Sequence, residues 1–99
     1  MVTNREPLTG VNQAVQEIAG QLGEREPGPI GIIRRLVALK GADFAHEYVR
    51  QALEIEAGGG LMTADGSRRR TLGGVFFYLV RATLTGTERR TVFPPPPWQ

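Results

Sequence analysis

Apolar residues recur along this chain with the spacing of helices. Between Val11 and Leu22 they fall at Val11, Ala14, Val15, Ile18, Ala19 and Leu22, the i, i+3, i+4 order of an amphipathic helix. Gly23 and the run EREPGP end it. Pro29 stands just before a second run, Ile30 to Lys40, where Ile30, Ile32, Ile33, Leu36, Val37 and Leu39 cover more than half the circumference. A helix apolar over so much of its surface is expected at the centre of the fold. Arg34 and Arg35 occupy its remaining polar face. After Gly41, a third helix opens at Asp43 and runs to about Ala57. It turns Phe44, Ala45, Tyr48, Val49, Ala52, Leu53 and Ile55 inward and Glu47, Arg50, Glu54 and Glu56 outward, and Gly58, Gly59 and Gly60 stop it. A fourth helix spans Leu72 to Ala82 with Val75, Phe76, Leu79 and Val80 as its core stripe. Thr87 to Phe93 add a last helical turn capped by Thr87, and Pro94 to Pro97 continue as polyproline II into Trp98 and Gln99.

Between the third and fourth helices the pattern changes. Leu61 to Ala64 and Ser67 to Arg70 read as two short strands joined at Asp65-Gly66, a dipeptide suited to a tight hairpin turn. The expected fold is therefore mainly α: a compact bundle of four to five helices with one short β-hairpin between helices three and four. Residues 1–10 are expected to be a flexible N-terminus, 11–93 one helical domain and 94–99 a proline-rich tail. A chain of 99 residues suits one domain with a modest core and little room for an enclosed active-site cavity.

Composition narrows the function. The absence of cysteine excludes disulfides, thiolate metal sites and thiol nucleophiles. No stretch approaches the roughly 20 apolar residues that cross a bilayer, and MVTNREPLTG has no apolar export segment, so a soluble, cytoplasmic chain without a membrane partner is expected. His46, the one histidine, falls in mid-helix with no paired nucleophile or acid. Glu54, Glu56 and Asp65 flank the glycine run without a recognised metal-ligand spacing, and the glycines lack the GK[ST] that completes a P-loop. Neither catalysis nor a cofactor is expected.

Charge is more informative. The net charge is only +2, yet residues 1–57 carry six basic and eight acidic side chains, whereas residues 58–99 carry six arginines against Asp65 and Glu88. In a hairpin, Arg68 and Arg70 share one face and Arg69 takes the other. Thr71 is a plausible N-cap for a helix whose first turn presents unpaired N–H groups and the positive end of its dipole beside these arginines. Gly73 and Gly74, poor helix formers in a first turn, imply that something approaches the backbone closely. Equally open is that they let the helix pack tightly on a neighbour and that the arginines form a solvated turn. Phe77 and Tyr78, off the core stripe, are candidates to stack on bases, with Tyr48 and Trp98 behind them. Phe77 and Tyr48 also read as core, and Trp98 as an anchor for the tail.

The run GGGLMTADGSRRRTLGGVFFYLVRAT resembles the signature of the RNA-binding domain of the phosphorylated adaptor for RNA export. There a glycine pair, an apolar strand, a turn, GSRRRT, a variable residue and GGVF occur in that order. The matching residues are Gly59, Gly60, Leu61, Gly66, Ser67, Arg68, Arg69, Arg70, Thr71, Gly73, Gly74, Val75 and Phe76. A looser likeness extends upstream from about Ile18 to Ala57. The resemblance implies a helical domain that binds single-stranded RNA without catalysis. By that resemblance Arg68, Arg69, Arg70 and Thr71 would be the leading contacts and Gly73 and Gly74 would admit the RNA backbone; Ser67, Tyr78 and Arg81 are added to the expected RNA-binding set from this chain's own residues. The adaptor is much longer, so a stand-alone, prokaryotic member is expected and the export role is not carried over. Leu72 and the proline-rich tail depart from the pattern. The alternative is a protein-interaction module that uses the apolar helices and the PPPPW tail to dock a protein partner.

Overall fold

Five helices make up most of the chain in the computed structural model, which describes residues 6–95: α1 (Glu6–Leu22), α2 (Pro27–Lys40), α3 (Ala42–Ala57), α4 (Leu72–Thr83) and α5 (Gly86–Val92). Helix α1 begins at Glu6, ahead of the predicted Val11, with Pro7 in its first turn, where a missing N–H forfeits no helical bond. The same reason lets α2 start at Pro27, so that Pro29 lies inside its first turn instead of preceding it. Gly41 caps both α2 and α3: its N–H reaches the Val37 carbonyl at 2.9 Å and its own carbonyl accepts from Ala45 at 3.3 Å. Helix α5 is capped by Thr85, two residues before the predicted Thr87. Only Thr85 has a glutamate three positions on, and the reciprocal pair forms: Glu88 N–H to Thr85 Oγ1 at 3.1 Å and Thr85 N–H to Glu88 Oε1 at 3.0 Å. The Thr85 N–H and, after it, the Lys40 ammonium hold the Glu88 carboxyl below its ordinary range. Lys40 Nζ lies 2.9 Å from Glu88 Oε2, tying α2 to α5.

The core is drawn from the predicted stripes of α1 to α4, joined by Leu84 and Val92, which lie in no predicted stripe. Val15, Ile18, Ile33, Leu36, Val49, Val75, Phe76, Val80 and Val92 are fully buried, and no buried residue among those described is polar or charged. Helix α1 packs on α2 and α3, α3 runs along α4, and α5 closes against α2. Two predicted core residues stand outside it: Leu39 is 44% exposed and Leu53 42% exposed. Each sits at the edge of its helix's apolar arc, and among the described residues no further helix covers that edge. Among the described residues no helix is long and apolar enough to cross a membrane. Trp98, with Pro96 and Pro97, lies outside the described residues.

The predicted β-hairpin does not form. The chain doubles back between α3 and α4, but among the described residues there are no strands, only one antiparallel bridge, Met62 opposite Arg69. Three main-chain bonds hold the reversal: Thr63 N–H to Arg68 O at 2.8 Å, Arg70 N–H to Leu61 O at 2.6 Å and Gly66 N–H to Thr63 O at 2.8 Å. Positive φ angles at Gly59 and Gly60 prevent extended backbone on one side, and Thr71 starts a helix on the other, so too few residues remain for a ladder. Phe76→Ala should lower the unfolding free energy by about 3–5 kcal/mol, whereas Leu53→Ala should cost less than about 1 kcal/mol. Urea denaturation of the two variants measures the contrast.

Candidate functional site

The loop from Gly60 to Thr71 is shaped by side chains bonding to nearby backbone. At its tip, Asp65 Oδ1 accepts from Thr63 Oγ1 at 2.8 Å, Ser67 N–H at 3.0 Å and Ser67 Oγ at 2.8 Å. These bonds, the Ser67 N–H first, hold the Asp65 carboxyl down at about 2. Ser67 therefore spends its hydroxyl hydrogen inside the turn.

The three arginines diverge. Arg69 crosses Gly60 to reach the end of α3, where its Nη2 lies 3.1 Å from Glu56 Oε2 and 3.3 Å from the Glu56 carbonyl. A Cβ at position 60 would run into the Arg69 guanidinium, and the φ of +81° there is one that side-chain-bearing residues rarely adopt, so this crossing requires glycine. Arg70 turns the other way. Its Nε donates to the Met62 carbonyl at 3.1 Å, and its guanidinium lies 4.7 Å from the centre of the Tyr78 ring on α4. Arg68 is exposed and, among the described residues, has no side-chain partner.

At the start of α4, Thr71 caps as predicted, its Oγ1 accepting from Gly74 N–H at 3.0 Å. The close approach implied by the paired glycines is met at Gly73, but from within the protein. Gly73 is buried, and a Cβ there would collide with the carboxylate of Glu24, which comes from the α1–α2 connection. A negative charge beside a helix N-terminus is favourable, and Glu24 supplies it. Nothing in the spacing of Glu24 signals this role, because the pairing joins residues far apart in sequence.

Tyr78 is 50% exposed, and Arg81 follows one helical turn later, both bordering one hollow with Arg89. Phe77 is half-buried, edge-on to Phe76 at 5.3 Å and to Phe93 at 6.2 Å. Tyr48 is half-buried beside Phe44, its hydroxyl accepting from Thr83 at 3.2 Å, so it belongs to the seam between α3 and α4. Arg50 on α3 is neutralised in place by Glu47 at 2.7 Å and Glu54 at 2.6 Å, and its hydrogen bonds hold the Glu47 carboxyl at about 2. In contrast, Arg68, Arg70, Arg81, Arg89 and Arg90 form no ion pair among the described residues. The outer side of α3 is thus balanced, while the loop, α4 and α5 carry uncompensated positive charge. Among the described residues His46 pairs only with Glu17, at 3.7 Å. Among the described residues no three histidine, aspartate or glutamate side chains converge as a metal site would require.

The Asp65 turn has a pH signature. Because the carboxyl is held below its ordinary 3.8, the stability it lends is fully present above about pH 4 and is lost as pH falls through about 2. The Ser67 amide resonance should therefore titrate with a midpoint near 2, and Asp65→Ala should remove the transition.

The chain is also similar to known proteins. Residues 14–94 match the model of the family described as "Phosphorylated adapter RNA export protein, RNA-binding domain". The phosphorylated adapter RNA export protein of Rattus norvegicus is 37% identical over 78 residues, which cover 79% of this chain and 20% of that protein. The Homo sapiens protein is 41% identical over 59 residues, 60% of this chain and 15% of its own length, and the Gallus gallus protein is 37% identical over 71 residues, 72% and 17%. The chain thus spans about a fifth or less of the curated relatives it matches. With so much of its length covered, the chain belongs to the family of the phosphorylated adapter RNA export protein RNA-binding domain.

Proposed function

We propose that this chain binds single-stranded RNA and catalyses no reaction. The observation that carries the reading is the Arg70–Tyr78 stack, with Arg81 one helical turn from Tyr78 and with Arg68, Arg70 and Arg81 free of carboxylate partners among the described residues, Arg69 alone of the loop arginines pairing with Glu56. A guanidinium lying on an aromatic ring is weakly hydrated and already flat, so an unpaired base can extend the stack while neighbouring arginines meet the phosphates. Membership in a family described by RNA binding supports the same reading.

Within it, the residues divide by role. Arg68, Arg70, Thr71, Tyr78 and Arg81 touch RNA directly. Ser67, Arg69, Gly73 and Gly74 act by shape: Ser67 and Arg69 fix the loop, Gly74 completes the cap and Gly73 seats Glu24. Single strands are favoured over duplex because the bases of a duplex are already stacked on one another and cannot extend the Arg70–Tyr78 pair.

Titration of single-stranded RNA at several salt concentrations tests the proposal. If about three phosphates are neutralised, log K should fall against log salt with a slope of about −2, and Arg68→Ala should make it shallower by about 0.7. Tyr78→Ala should weaken binding by about 1–3 kcal/mol with little change in melting temperature. No binding at low salt, or equal binding by both variants, would refute the reading.

A further inference from the structure

Past Arg81, the interface described above runs into an open groove of about 800 Å³ between the N-terminal end of α2, α4 and α5. Its lining includes Ile32, Arg35, Phe77, Arg81, Arg90 and Phe93, and no carboxylate. Arg81 borders both this groove and the hollow beside Tyr78, so the two are neighbours on the surface. Phe77 and Phe93 meet edge to face at 6.2 Å and 88°, and the Arg81 guanidinium lies 4.9 Å from the centre of the Phe93 ring. Arg35 is held at the wall by its Nε, which donates to the Val92 carbonyl at 3.1 Å, leaving its other nitrogens without a partner among the described residues. Arg90, on α5, is exposed.

We infer that this groove is a second nucleotide subsite, and that one strand of RNA passes from Arg68 and Tyr78 over Arg81 into it. This rests on the RNA-binding reading and extends it from a single stacking position to a path. The lining selects the occupant. Three guanidiniums around an apolar floor would leave an uncharged peptide opposite cations it cannot satisfy, whereas a nucleotide brings a flat apolar base and an anionic linkage together. Neither part of the groove is evident from the loop signature, because Arg35 lies on α2, and Arg90 and Phe93 at or beside α5.

The path makes affinity depend on strand length. Oligouridines of about 4 and about 12 nucleotides, a range spanned by single-strand sites, can be titrated against the full chain by fluorescence anisotropy. Arg90→Glu should weaken the longer strand about tenfold and the shorter one less than twofold, and Phe93→Leu should do the same while Phe93→Tyr, which keeps the ring, does not. Tyr78→Ala should weaken both strands. Should Phe93→Leu fail to fold, Arg90→Glu on the exposed side of α5 still decides. Unchanged binding of the longer strand by Arg90→Glu, or equal weakening of both lengths, would overturn the groove as a subsite while Tyr78→Ala still reports on RNA binding. Failure of both oligomers to bind at low salt would overturn the RNA reading itself and the groove with it.

Discussion

The candidate site depends on Arg69 reaching across Gly60 to the carboxylate and carbonyl of Glu56. That contact ties the loop to the end of α3. With Arg69 committed there, its neighbour Arg70 faces α4 and lies on Tyr78, and Arg68 is left toward solvent. An ion pair as exposed as this is worth little alone, on the order of 1 kcal/mol or less. The loop is ordered by several such contacts acting together: the Asp65 turn, the Arg70 bond to the Met62 carbonyl and the Thr71 cap. Each modest contact is local, so the cost of ordering so short a segment is met without a strand ladder.

Charge is distributed to suit. Arg50 is surrounded by its own helix's glutamates, and Lys40 is used to join α2 to α5. Arg69 apart, which pairs with Glu56, arginines of the loop, α4 and α5 instead reach carbonyls and aromatic rings: Arg70 on Tyr78, Arg81 on Phe93, Arg89 on the Leu84 carbonyl at 2.9 Å. Those partners fix geometry without cancelling charge. A protein with net charge of only +2 thereby presents one positive face.

Helical periodicity made the bundle legible from residues alone, because burial of one stripe per helix is a local pattern: Val15, Ile18, Ile33, Val49 and Val80 are where spacing puts them. The Thr71 cap and the exposed position of Tyr78 were legible for the same reason. The Asp65-Gly66 turn dipeptide misled over Leu61 to Arg70, since such a dipeptide marks where the chain reverses and not whether a ladder has room to form between two glycines and a helix start. The destination of each arginine was hidden too. Whether Arg69 meets Glu56, or Gly73 meets Glu24, is set by how α1, α3 and α4 assemble, and no spacing along the chain encodes it. The groove beside Phe93 belongs to the same class, being built from three helices.

In the proposed function, a tied loop and the adjoining face of α4 form one surface for single-stranded RNA. Titrating such RNA into isotopically labelled protein and following backbone amide shifts tests this most directly. Movements concentrated at Arg68 to Thr71 and at Tyr78 to Arg81, with Glu47 to Glu54 unmoved, are the predicted result. Shifts confined to the outer side of α3, with the loop silent, would contradict it.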